Sequence, residues 1–359
     1  MDVLMKRYNR QLPVIGLEGQ QRLQQARILC VGAGGLGSPA LLYLTSCGVG
    51  TIDIVDDDHV ELSNLQRQIL FKETDIGASK SAVACERLRQ LNSTIHLNSY
   101  PHRLTEQNAK TLIQAHDVVL DCSDNFTTRY LLNRVCRQRG TPLVSASILQ
   151  FEAQVSVFNY QGGPCLECLY PAPPTADQAP TCDAAGVLGV VPGIAGGLQA
   201  LEAVKIILQR GDVLAGKLLC IDGLTMMFSQ FNFARSTTCT LDSCSQIDPT
   251  EATMLVNDSI PQIEPIEFAK QSDKYFLLDV REAHEKEICD IGGPLIPLKT
   301  LTEHLDQLPK DQTLVVYCRS GGRSAKATEL LLDHGFNVLN LTGGILRWID
   351  EVDSSLEKY

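Results

Sequence analysis

The sequence predicts an α/β protein in two domains, and three observations support this. Its 359 residues exceed the size at which a single hydrophobic core stops growing. Apolar runs beginning near Ile28, Ile52, Ile95 and Val118 alternate with helix-like spacing, the mark of a mainly parallel sheet covered on both faces. A second series of this kind begins at Tyr275, after a stretch from Thr237 to Pro265 in which the pattern fades into Ser, Thr, Asp and Pro. One domain is expected at 1–245, a linker at 246–261 and a second domain at 262–359.

In chain order, the strand at Ile28 to Val31 runs straight into glycines. Further strands follow at Pro142 to Ala146 and Val155 to Phe158. Gly193 to Leu208 reads as a largely apolar helix with Ile194, Leu198, Leu201 and Lys205 along one side. The second series offers strands at Tyr275 to Val280, Thr313 to Tyr317 and Val338 to Leu341, then a short helix around Trp348.

Composition excludes several classes. A hydrophobic share of 44% with 20% charged residues describes an ordinary globular chain. The formal charge of -11 disfavours a broad polyanion surface, so nucleic acid is not expected as the main partner. Met1 to Gln11 lacks the apolar core of a signal peptide, and the expected location is the cytoplasm. The uncharged run Ala184 to Leu201 carries Gly186, Gly189, Pro192, Gly193, Gly196 and Gly197, which suits a buried loop and helix better than a membrane span. Thirteen cysteines read as reduced thiols, metal ligands or reactive groups.

Gly32-x-Gly34-x-x-Gly37 follows a strand, and Ser38-Pro39 opens a helix. Such glycines let the backbone approach a phosphate at a helix N-terminus, and Asp56, at the end of the next strand, can accept both hydroxyls of a ribose. That much fits any adenosine nucleotide, NAD included. Asn64, Arg67, Lys80 and Asp124 add an amide, two cations for a triphosphate and a hard oxygen ligand for magnesium, a set suited to nucleotidyl transfer rather than hydride transfer.

With Arg7-Tyr8-Asn9-Arg10-Gln11, Ser63 to Gln68 and Asp124-Asn125 added, residues 5 to 245 closely resemble the MoeB/ThiF family, bacterial relatives of ubiquitin-activating enzymes. The resemblance implies a Rossmann-like ATP-binding domain whose mainly parallel sheet continues into antiparallel strands. It implies adenylation of the C-terminal glycine of a small ubiquitin-like sulfur carrier ending in Gly-Gly. It assigns Asp56 to the ribose, Arg67 and Lys80 to the phosphates and Asp124 to magnesium. Gly32, Gly34, Gly35, Gly37, Ser63, Asn64, Leu65, Gln66, Gln68 and Asn125 complete the nucleotide set, and Arg10 reaches the ATP of a second copy in a homodimer.

Cys165-Leu166-Glu167-Cys168 has the spacing with which two thiolates grip zinc, and Cys239 with Cys244 could complete a tetrahedral site. The family usually has two residues between its second pair of cysteines, where this chain has four. Cys182 matches a cysteine that some relatives use to hold the carrier covalently.

Cys318 starts a loop between a strand and a helix, with Arg319 and Arg323 nearby, a setting that stabilises negative charge on sulfur. The loop resembles the active-site loop of rhodanese-type sulfurtransferases, as do Asp279 to Glu282 upstream and Gly343-Gly344-Ile345 and Trp348 downstream. It differs by one residue from the Cys-x5-Arg loop of cysteine phosphatases. The segment Cys289 to Pro294 departs from the rhodanese pattern. The resemblance implies a smaller α/β rhodanese domain with a persulfide on Cys318, charged by thiosulfate or a cysteine desulfurase. The expected reaction is adenylation followed by sulfur transfer to give a thiocarboxylate. Fusion to a rhodanese and the match at Met5 to Gln11 tilt the pathway toward molybdopterin, with thiamine synthesis and tRNA thiolation as alternatives. A rhodanese serving another acceptor is a further alternative.

Overall fold

A computed structural model of the chain describes residues 6–173, 186–237, 239 and 260–357. These fall into two compact units, each with its own sheet. Cys182, Cys244 and most of the linker lie outside the described residues.

In the first unit, α1 (Leu12–Gln25) precedes β1 (Arg27–Val31), α2 (Gly37–Cys47), β2 (Thr51–Val55), α3 (Lys80–Leu91), β3 (His96–Tyr100), α4 (Glu106–Gln114), β4 (Val118–Asp121), α5 (Phe126–Arg139) and β5 (Leu143–Leu149). The sheet order is β3-β2-β1-β4-β5, all parallel, with β1 opposite Thr51 to Val55 on one side and Val118 to Asp121 on the other. Alternation along β1 explains the packing. Ile28 and Cys30 enter the core beneath α2 and α3, while Leu29 and Val31 enter the core beneath α4 and α5.

Past β5 the direction reverses. Strands β6 (Glu152–Phe158), β7 (Lys217–Asp222) and β8 (Met227–Asn232) extend the sheet antiparallel, with α6 (Leu166–Leu169) and α7 (Val190–Leu208) between β6 and β7. Helix α7 begins at Val190 rather than Gly193, because Pro192 sits in its first turn, where proline costs no hydrogen bond. It is long and apolar enough to cross a membrane, yet Ala195, Gly196, Gln199 and Ala203 are buried and Glu202, also buried, pairs with Lys205. Ile194 and Leu198 are half-buried against the same core, and Leu201 is exposed.

The second unit has a four-stranded parallel sheet, ordered β10 (Tyr275–Asp279), β11 (Thr313–Tyr317), β12 (Val338–Leu341) and β9 (Gln262–Ile263). Around it run α8 (Pro265–Lys270), α9 (Ala283–Ile288), α10 (Gly322–Asp333) and α11 (Gly344–Glu351). Leu314 and Val316 of β11 face Ala327 and Leu331 of α10, while Val315 and Tyr317 face Ile345 and Ile349 of α11.

Candidate active sites

Apart from Arg10, the residues expected to bind nucleotide lie toward the carboxyl ends of β1, β2 and β4, where the strand order reverses. The glycines are there for physical reasons. Gly32 has φ +96°, and a Cβ on Gly37 would lie 2.1 Å from the Gly32 carbonyl oxygen. Gly34 faces the amide of Gln68, and Gly35 is flanked by Pro192 and the stem of Arg67. Helix α7 closes on this loop, since a Cβ on Gly196 would lie 2.3 Å from the Leu36 carbonyl oxygen.

Asp56 is half-buried. Its Oδ2 accepts from the Ala33 N–H at 2.7 Å and its Oδ1 from the Asp58 N–H at 2.9 Å. Burial pushes its carboxyl above the ordinary value, against the hydrogen bonds and the nearby Lys80 charge. Lys80 is buried at the start of α3, with Nζ 2.9 Å from Asp58 Oδ2. Asn64 and Gln68 are buried, and among the described residues neither Asn64 Oδ1 nor Gln68 Oε1 has a hydrogen-bond partner. Ser63 is exposed, and its carbonyl accepts from Arg67 Nη1 at 3.1 Å. Leu65 packs on the core, while Gln66 is exposed with its backbone against Gly189.

Asp124 is exposed just beyond β4, a placement open to a hydrated cation. Asn125 caps α5 by accepting from the Thr128 N–H at 2.9 Å, so its carbonyl oxygen is already engaged. The segment is held from below by residues that sequence reasoning did not single out. Buried Asp121 accepts from Ser123, Ser145 and Arg129 Nε, and Gln199 of α7 donates to the Asp121 carbonyl at 2.8 Å.

Arg10 is exposed and stands apart from this cradle. Its segment is tied down at the other end of α2, where Tyr8 packs over Gly48 and Gln11 donates to the Cys47 carbonyl at 2.9 Å.

The thiols of Cys165, Cys168 and Cys239 form a cluster. Cys165 Sγ lies 3.7 Å from Cys168 Sγ and 3.6 Å from Cys239 Sγ. A tetrahedron of thiolates with Zn–S bonds of about 2.3 Å has edges of about 3.8 Å, so these three sulfurs fit zinc.

In the second unit Cys318 is buried, and its sulfur receives the Gly321 N–H at 3.2 Å and the Ser324 hydroxyl at 3.4 Å. The loop leans on the turn before α11, where a Cβ on Gly344 would lie 2.3 Å from the Cys318 carbonyl oxygen. Arg323, five residues after Cys318 in the first turn of α10, is paired with Glu285 through two hydrogen bonds. Beneath the loop Asp279 and Arg281 form a buried ion pair at 2.7 Å, and the Tyr317 hydroxyl donates to Asp279 at 2.9 Å.

This arrangement defines a nucleotidyl-transfer enzyme joined to a sulfur-transfer domain. The ThiF family profile matches residues 8–241 and the rhodanese-like domain profile residues 264–351. Adenylyltransferase and sulfurtransferase MOCS3-2 of Zea mays is 38% identical over 391 residues, 99% of this chain and 81% of that protein. The MOCS3 protein of Anopheles gambiae is 38% identical, over 98% of this chain and 88% of its own length. A probable molybdopterin-synthase adenylyltransferase of Porphyra purpurea is 39% identical, over 94% and 90%. Among solved structures, E. coli MccB with ATP shares the fold, with a TM-score of 0.59 at 22% identity over 66% of this chain and 74% of that one. The chain belongs to the ThiF family and carries a rhodanese-like domain; it is an adenylyltransferase and sulfurtransferase.

Proposed function

We propose that the chain activates the C-terminal glycine of a ubiquitin-like sulfur carrier with ATP and converts it to a thiocarboxylate with sulfur borne on Cys318. The observation that carries this is one chain holding both a glycine cradle with Lys80 and Asp124 at the carboxyl edge of its parallel strands and a buried thiol that receives the Gly321 N–H. A carrier carboxylate oxygen attacks the α-phosphorus of ATP, and the bond to the bridging oxygen breaks as pyrophosphate leaves. Arg67 and Lys80, with Arg10 from a second copy, offset the charge that develops. Asp124 would hold magnesium, which supplies further charge neutralisation when bound.

The outer sulfur of a Cys318 persulfide then attacks the activated carbonyl, and AMP departs. A thiol reductant attacks the Cys318 sulfur of the resulting acyl disulfide and frees the thiocarboxylate, and a second thiol then displaces the first as a disulfide and returns Cys318 to a thiol. Cys182 serves as an anchor for the carrier. Thiosulfate or a cysteine desulfurase restores the persulfide. The names of the relatives favour a carrier of the molybdopterin branch over thiamine synthesis or tRNA thiolation. Cys244 completes the zinc site formed by Cys165, Cys168 and Cys239.

Two surfaces support the partners. Leu188, Val190 and Leu201 are exposed at and before α7, beside Gly193 and Gly197, which face open space, and this suits a homodimer. Met226, Met227, Phe228 and Phe231 on and beside β8 are exposed as well and suit the carrier. Among the described residues no cysteine is in a disulfide, in keeping with the cytoplasm.

Exchange of labelled pyrophosphate into ATP tests the first step. The expected result is exchange that requires the carrier. Failure with every Gly-Gly carrier overturns the reading.

A further inference from the structure

Lys80 opens α3 with its side chain only 7% exposed, whereas Asp58, its ion-pair partner at 2.9 Å, is 70% exposed. A buried ammonium without an acceptor is costly, so this contact gives Lys80 a reason to stay in place. The pair is also fixed through the backbone. The Lys80 N–H donates to the Asp58 carbonyl at 2.9 Å, the Asp58 N–H donates to Asp56 Oδ1 at 2.9 Å, and Asp56 Oδ2 accepts from Ala33 of the glycine loop at 2.7 Å. The Ser81 hydroxyl donates to the Asp56 carbonyl at 3.0 Å. A continuous run of hydrogen bonds therefore links the phosphate loop, the ribose carboxylate and the cation, with Asp58 at its hinge.

We infer that Asp58 is a positioning residue for adenylation, aiming Lys80 Nζ at the phosphates. This rests on the reading of Lys80 as a phosphate-binding cation. An ammonium has three donors, and with one on Asp58 two remain for phosphate oxygens. The exposed Asp58 carboxylate is screened by solvent, so it repels an incoming triphosphate weakly while its short contact to Lys80 persists. Ground-state binding of ATP thus changes little when Asp58 is neutralised. The transition state, where charge grows on the departing pyrophosphate, feels the misplaced cation.

The test is a double-mutant cycle with Asp58→Asn, Lys80→Met and the pair, read by carrier-dependent pyrophosphate exchange. Asp58→Asn lowers kcat about tenfold with KM for ATP within about twofold, and costs nothing further in the Lys80→Met background. An equal loss in both backgrounds, or no loss in either, overturns the inference. A second arm needs no carrier. Acylation of Lys80 by acetic anhydride, followed by peptide mass spectrometry, is several-fold faster in Asp58→Asn while other lysines react as before, and unchanged Lys80 reactivity overturns the inference. Absence of exchange in the unaltered enzyme counts against the proposed function alone, and the acylation arm still decides the role of Asp58.

Discussion

Arg323 and Glu285 form a two-pronged ion pair, with Nη1 to Oε2 at 2.5 Å and Nη2 to Oε1 at 2.6 Å. It ties the first turn of α10, which carries the sulfur loop, to α9.

Arg323→Ala leaves a carboxylate that is 10% exposed without its main partner. Breaking such a pair costs about 3–5 kcal/mol, so calorimetry records a lower unfolding temperature for the second unit. Arg323→Lys keeps the charge but loses the fork, and falls between the two.

The same pair sets a pH dependence. Burial opposes ionisation of Glu285, but hydrogen bonds from Arg323 and the Glu282 N–H, with the charges of Arg323 and Arg281, prevail and hold its carboxyl below the ordinary 4.5. A depressed native pKa gives stability that is present above the unfolded value and is lost as pH falls through the native one. Acid titration of thermal stability shows this loss below about pH 4.5, and Glu285→Gln flattens that limb.

Cys318→Ser separates the two chemistries. Pyrophosphate exchange continues, and thiocarboxylate disappears. Gly344→Ala places a Cβ 2.3 Å from the Cys318 carbonyl oxygen, so the loop shifts and sulfur transfer falls about tenfold or more while exchange persists.

If the Cys165, Cys168 and Cys239 cluster holds zinc, metal analysis of the purified chain is expected to give about one zinc per chain. Cys165→Ser abolishes it and lowers the melting temperature of the first unit. The second unit, with its own core, melts as before.

Tyr8 and Gln11 tie the Arg10 segment to the end of α2 opposite the glycine loop, and an 11-residue helix is about 16 Å long. Arg10 therefore stands away from its own cradle, as the proposed service to another copy's nucleotide requires. Mixing inactive Arg10→Ala and Asp124→Ala proteins restores part of the exchange, because one mixed site is intact. No recovery under conditions of subunit exchange contradicts service in trans.

Much of the cradle was legible because its demands are local. Gly32 must take φ +96°, Gly37 has no room for a Cβ, and β1 alternates between two cores. What escaped depends on distant partners. Glu285 is 38 residues from Arg323, Gln199 is 78 from Asp121, and Asp58 sits in a run of three aspartates that reads as a solvated turn. The extent of β8 escaped for another reason. Its residues are almost all exposed, so no alternation marks it.

The most direct measurement is the mass of a Gly-Gly carrier after incubation with enzyme, ATP and a sulfur source labelled in its transferable atom. Replacement of one carboxyl oxygen by labelled sulfur is expected, dependent on ATP, Lys80 and Cys318. A carrier that gains labelled sulfur equally well with Cys318→Ser enzyme would contradict it.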